Sequence, residues 1–248
     1  MEASTYIVIL LLAALSGLTT VIGFLLAIYV SRSRKWIAVG IGFSVGIMLL
    51  ISFLELIPES LATAKLDSVI TAVGLGAGLI GLMHYVIPHT HLIKEQGLFG
   101  EQRLRTAYLV TFGLILHDFP EGFAMANAYI ASPSLGVAVA LAIALHNIPE
   151  EFAMAVPVAS TGSRSFLLRS AVLSACAEPL GAAIGLFAAS FDPSLVPLFM
   201  AFAAGAMIFV SLHELVPMAK QYGRLEYFGI GVTASVGVYT ALVFLLPE

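Results

Sequence analysis

Apolar residues in this chain come in long unbroken runs, not in the alternating or striped patterns of a soluble fold. Runs near 5–30, 36–58, 68–88, 106–130, 134–160, 166–190, 194–217 and 226–247 stand out along the sequence. Each reaches or exceeds the roughly 20 residues a helix needs to cross a hydrocarbon core. The pattern predicts an all-α, polytopic membrane protein with eight transmembrane helices in one domain over 1–248. Connectors are short apart from 89–105, so consecutive helices are expected to pack antiparallel. No soluble domain and no low-complexity stretch is expected between them.

Composition sharpens that picture. Hydrophobic residues make up 60% of the chain and charged ones only 10%, with a mean hydropathy of +1.01. A soluble domain carries about 25% charged residues, so this surface is built for lipid. A net charge of -4 without any basic stripe does not suggest a nucleic-acid partner, and none is expected. The single cysteine, Cys176, allows no intramolecular disulfide. Near the start, Met1 to Thr5 lack a positive segment, and Arg32, Arg34 and Lys35 follow the first apolar run. That order predicts a first span with its N-terminus outside, not a cleaved signal peptide. The odd-numbered connectors hold Arg32, Arg34, Lys35, Lys94, Arg103, Arg105, Arg164, Arg169, Lys220 and Arg224, ten of the eleven basic residues. Only Lys65 lies on the other side. The positive-inside rule then places both termini outside and the odd connectors in the cytoplasm.

Ionisable groups inside a bilayer are costly and mark pathways or ligand sites. Here they are grouped. Helix four carries His117-Asp118-Phe119-Pro120-Glu121-Gly122-Phe123-Ala124-Met125-Ala126, and helix five carries His146-Asn147-Ile148-Pro149-Glu150-Glu151-Phe152-Ala153-Met154-Ala155. Seven of the ten aligned positions are identical. Positions i and i+4 share a helical face, so His117 points with Glu121 and His146 with Glu150. Two His and two Glu converging between packed helices match the ligand chemistry of metal sites in helical bundles. Asp118 and Asn147, rotated by about 100° from those histidines, are placed to form a second, oxygen-rich site, with Glu178 of helix six completing it. Pro120 and Pro149 free the carbonyls of Leu116 and Leu145. Asp118, Glu121, Glu150 and Glu178 sum to -4, a charge that two divalent cations neutralise and that no Lys or Arg nearby offsets.

Further polar groups lie along the expected route as approach or release candidates. Glu55 and Glu59 sit toward the outer end of helix two. His213 and Glu214 sit toward the inner end of helix seven, and His84, His89 and His91 cluster near the inner end of helix three. Glu151 adds an acid beside Glu150. A membrane metalloenzyme is a weaker reading, because His213-Glu214 is not followed by the second His of His-Glu-x-x-His. An intramembrane proton relay or channel is the other alternative, since Asp, Glu and His chains also carry protons. No nucleotide-binding loop is present, which argues against an ATP-driven pump. A transporter of divalent metal cations, not an enzyme and without a cofactor, fits best. Imidazole with carboxylate suits Zn(II), Fe(II), Mn(II) or Co(II), and the missing thiolates disfavour Cu(I).

The paired motifs, Glu178 with Pro179, eight spans and outside termini resemble the ZIP (Zrt-, Irt-like protein) family of metal transporters over essentially the whole chain. The His146, Asn147, Pro149, Glu150 signature looks closest to its compact bacterial branch. That resemblance implies uptake of zinc, often with iron, manganese, cobalt or cadmium, across the inner (plasma) membrane into the cytoplasm. It implies a binuclear midplane site, with His117, Glu121, His146 and Glu150 on the first metal. Asp118, Asn147 and Glu178, with shared Glu121 and Glu150, would serve the second. It also implies a homodimer in which helices one, four, five and six move against helices two, three, seven and eight. Two departures from the branch, Asp118 in place of Asn and Glu151 in place of Gly, add acids to the site. Glu151 coincides with the last Glu of the His-Glu-x-Pro-His-Glu form found elsewhere in the family.

Overall fold

A computed structural model describes residues 2–30, 33–86, 100–159 and 161–245. Among these the chain is helical throughout. Helix α1 is Ala3–Val30, α2 is Arg34–Thr63, α3 is Leu66–Val86 and α4 is Gly100–Ala131. Helix α5 is Pro133–Met154, α6 is Arg164–Phe191, α7 is Pro193–Tyr222 and α8 is Leu225–Leu245. Seven of the eight are long and apolar enough to cross a membrane. The other, α4, has 32 residues and carries His117, Asp118 and Glu121 in its interior. At about 1.5 Å per residue it too exceeds the hydrocarbon thickness. It starts at Gly100, before the apolar run begins, because Glu101, Arg103 and Arg105 are polar but good helix formers.

Local chemistry sets the breaks. Ser132 caps α5 by accepting from the Leu135 N–H at 3.5 Å, with Pro133 in the first turn. Ser163 accepts from Phe166 N–H at 3.2 Å to start α6. Asp192 accepts from the hydroxyl and the N–H of Ser194 and so opens α7; those bonds hold its carboxyl below the usual aspartate range. Gly223, at φ 64, ends α7 in the left-handed region that other residues avoid. Helix α5 breaks at Ala155 before a short turn, Val156–Ala159, and α6 breaks at Cys176.

Two of the helices carry a π turn in the same sequence context. Ser52–Leu56 precedes Ile57-Pro58 in α2, and Ser211–Leu215 precedes Val216-Pro217 in α7. In each the residue before Pro donates its N–H to the Ser carbonyl five residues back. One residue more than a regular turn is accommodated just where proline removes a donor from the ladder.

Helix α2 packs along α8, α3 along α7, α4 along α6 and α1 along α5. Contacts of α2 with α5 and of α4 with α7 join these pairs. The core is small or flexible (Ala124, Ala126, Ala153, Ala204, Met48, Met125, Met200), which lets backbones approach. Helices α4 and α6 are closest where a Cβ on Gly122 would strike the Glu178 carbonyl and one on Gly181 the Phe119 carbonyl. Large apolar side chains instead cover the outside, among them Leu11 and Leu15 of α1, Leu75 of α3 and Phe187 of α6. In water such a surface would aggregate; against lipid tails it is the expected covering.

Candidate metal centre

The duplicated motif makes one compact cluster. Helix α4 runs on through Pro120 and α5 through Pro149, so each His stays one turn from its Glu. His146 Nε2 lies 3.1 Å from Glu121 Oε1 and 3.7 Å from Glu150 Oε2. His117 Nε2 lies 3.5 Å from Glu121 Oε1 and in direct contact with Glu150 Oε1. Each Glu therefore meets the His of the other helix as well as its own. One ligand atom from each of His117, Glu121 and Glu150 falls within 4.8 Å of the others. All four side chains are buried.

Neighbouring backbone orients these groups. The Ala142 carbonyl lies 2.9 Å from His146 Nδ1 and can only accept, so Nδ1 donates to it and Nε2 is turned to the carboxylates. Ser44 of α2 donates to the His146 carbonyl at 3.1 Å and to the Gly40 carbonyl at 3.2 Å, tying α2 to this turn of α5. Glu121 Oε2 is buried and accepts no hydrogen bond. A carboxylate oxygen left so in an apolar interior is costly unless a cation or a proton meets it.

The remaining midplane residues divide into two groups. Asn147 Nδ2 donates to Glu178 Oε1 at 2.7 Å. Around that pair lie two hydroxyls of α1, Ser16 and Thr20, each 3.4 Å from Asn147 Nδ2. Thr20 Oγ1 also donates to Glu178 Oε1 at 3.5 Å. Asp118 turns elsewhere and accepts from Ser174 Oγ at 2.5 Å. Glu151, read from the sequence as an approach or release candidate, is buried beside Asp118 inside the helix group. Sequence reasoning passed over Ser16, Thr20, Ser44 and Ser174. Their signal was hydroxyls repeating one turn from a polar neighbour, Ser16 with Thr20 and Ser174 with Glu178, within otherwise apolar helices.

Toward one end of α7, His84 Nε2 of α3 lies 2.5 Å from Glu214 Oε1. His213 stacks on Phe209 at 4.7 Å and meets His84 edge-on at 5.7 Å. On α2, Glu55 accepts from Tyr239 Oη of α8 at 2.5 Å, and Glu59 is half-buried nearby. Tyr239 is a further partner that sequence reasoning did not single out. His89 and His91 lie outside the described residues.

Comparison with known proteins gives the cluster its context. The family model described as ZIP Zinc transporter matches residues 82–240, which include both motifs, Glu178 and the α7 His-Glu pair. A zinc transporter ZupT of Escherichia fergusonii is 39% identical over 242 residues, covering 92% of this chain and 93% of that protein. A zinc transporter ZupT of Corynebacterium aurimucosum is 36% identical over 258 residues, covering 96% of this chain and 97% of its own. One from Salmonella paratyphi A is 39% identical over 243 residues, with 92% and 93% covered.

Proposed function

Because the chain belongs to the ZIP zinc transporter family, we propose that it takes up divalent metal cations, zinc foremost, into the cytoplasm through a binuclear site at the middle of the membrane. The observation that carries this reading is the convergence of His117, Glu121, His146 and Glu150 from two helices onto one buried point. Neutral imidazole and carboxylate together suit zinc and its first-row neighbours, including iron, manganese and cobalt. These four residues hold the first cation. Asn147, Glu178 and Asp118 border the second, with Glu121 and Glu150 between the two, since a carboxylate offers an oxygen to each side.

Transport asks that a dication shed water in a low-dielectric interior and leave again. The carboxylates offset its charge, and the hydroxyls of Ser16 and Thr20 hold Asn147 and Glu178 in place without adding charge. Glu55 and Glu59 guide cations toward the cluster, and Glu214 with His84 and His213 receives them on the cytoplasmic side. The odd connectors, rich in Lys and Arg, face the cytoplasm, and both termini lie outside. The protein works in the inner membrane as a homodimer, with α1, α4, α5 and α6 moving against the other four helices.

The test is uptake of zinc and manganese into vesicles reconstituted with purified protein, normalised to inserted protein. Glu121→Gln and Glu150→Gln keep side-chain shape and lose charge, so a structural acid would tolerate them. The expected outcome is folded protein in detergent with uptake of both metals strongly depressed. Wild-type uptake by both variants would overturn the assignment.

A further inference from the structure

Polar side chains inside the group of α1, α4, α5 and α6 are stacked in two layers. The first holds Ser16, Thr20, Asn147 and Glu178, with Glu121 of α4 beside them. One turn along all four helices lies the second: Gly23 after Thr20, Glu151 after Asn147, Asp118 before Glu121 and Ser174 before Glu178. The displacement runs the same way on each helix, because α1 and α5 run opposite to α4 and α6. In this second layer Ser174 Oγ donates to Asp118 Oδ2 at 2.5 Å. The carboxyl of Glu151 lies within hydrogen-bonding reach of that of Asp118. Helix α1 closes the layer with backbone alone, since a Cβ on Gly23 would collide with the Glu151 Cβ.

Two features separate this layer from a structural polar patch. Glu151 is 1% exposed and its Oε2 accepts no hydrogen bond, although its other partner is an acid. Among the described residues of these helices no Lys or Arg lies near: α1 and α5 carry none, and those of α4 and α6 sit in the first two turns of each. Two carboxyl groups in contact inside a bilayer repel one another unless something positive lies between them. Asp118, Glu151 and Ser174 offer oxygens alone, the set that hard divalent cations prefer.

We propose that Asp118, Glu151 and Ser174 form a third cation position, oxygen-only and selective for a hard divalent ion such as Mn2+, one helical turn from the zinc-preferring cluster. It draws on the transport reading for its supply of cations, and Asp118 borders both this position and the second metal. Its effect is to set which metals the protein carries: zinc is held by the histidine cluster, whereas manganese gains an additional resting place along the same bundle.

The experiment counts Mn2+ bound to purified full-length protein whose histidine cluster is first saturated with Zn2+, using the electron paramagnetic resonance signal of free Mn2+. Wild-type protein is expected to bind Mn2+ beyond the zinc it holds. Glu151→Gln should weaken that binding by roughly tenfold or more, as loss of a metal-site group commonly does, and by more than it weakens zinc binding. Ser174→Ala, which removes a donor without altering charge, should move the Mn2+ to Zn2+ affinity ratio in the same direction. Equal Mn2+ binding by wild type and Glu151→Gln would overturn the proposal and leave the pair as two acids sharing a proton. An unchanged metal ratio in Ser174→Ala would overturn it equally, should Glu151→Gln fail to fold. Glu121→Gln separates the two readings: wild-type zinc uptake by that variant and by Glu150→Gln sinks the transport site, whereas Mn2+ retention at the third position does not depend on Glu121.

Discussion

Alanine at selected glycines tests the helix packing that builds the candidate metal centre, because the expected sign depends on position. A Cβ at Gly122 would fall well under 3.0 Å from the Glu178 carbonyl oxygen, closer than side-chain carbons come to such an atom. What it strikes is backbone and has no rotamer to yield, so α4 and α6 must separate. Overpacking of this kind costs about 1–3 kcal/mol, and a rigid partner puts Gly122→Ala near the upper end. Glu178 would be displaced from Asn147, now 2.7 Å away, so zinc affinity should fall with stability. Gly74 and Gly78 of α3 have nothing within 4 Å of a built Cβ. There alanine removes the helix penalty of glycine, worth about 0.8–1.0 kcal/mol, and should leave stability unchanged or higher. The assay is unfolding of detergent-solubilised variants with and without zinc, alongside calorimetric zinc binding. If Gly122→Ala matched wild type in both, the close approach of α4 and α6 at the site would be refuted.

Cysteines at Ser33 or Ser163 in a Cys176→Ser background should be labelled only from the cytoplasmic side, and one at Ser132 only from outside; labelling of 33 and 132 from the same face would refute the orientation. Replacing His84 with Asn breaks its contact with Glu214 and should slow zinc uptake while zinc binding to the detergent-solubilised protein persists. Loss of that binding would place the principal site at the wrong depth.

The fold was legible because lipid imposes long apolar runs, and hydropathy needs no tertiary knowledge to find them. Only α4 blurs, since His117, Asp118 and Glu121 interrupt its run and Glu101 to Arg105 begin it with charge. The convergence of His117, Glu121, His146 and Glu150 was legible because each His and its Glu lie one turn apart on one helix. The arrangement of Asp118, Asn147 and Glu178 was read only in part. Spacing within helices puts Asp118 and Asn147 on similar faces, but which neighbour each meets depends on how α6 and α1 are rotated. That rotation is set by contacts such as Gly122 against Glu178, which no single-helix pattern encodes. It sends Asp118 to Ser174 and leaves Asn147 with Glu178, Ser16 and Thr20.

The π turns extend that point to α2 and α7. Ser52-Phe53-Leu54-Glu55-Leu56-Ile57-Pro58 and Ser211-Leu212-His213-Glu214-Leu215-Val216-Pro217 share Ser, Glu, Leu and Pro at matching positions. As fragments they read as two unrelated polar stretches near span ends. Their common π geometry identifies them as one device used twice, a turn that re-aims a Glu sideways ahead of a proline. Because α2 and α7 are an even and an odd span of an alternating series, the same device points to opposite ends of the bundle. On α2 the Glu meets Tyr239 of the paired helix α8, and on α7 it meets His84 of the paired helix α3. A phenol only donates to a carboxylate, whereas an imidazole beside Glu214 supplies a second metal-competent atom; on the transport reading proposed above, the His84 end is the better equipped of the two to hold a cation.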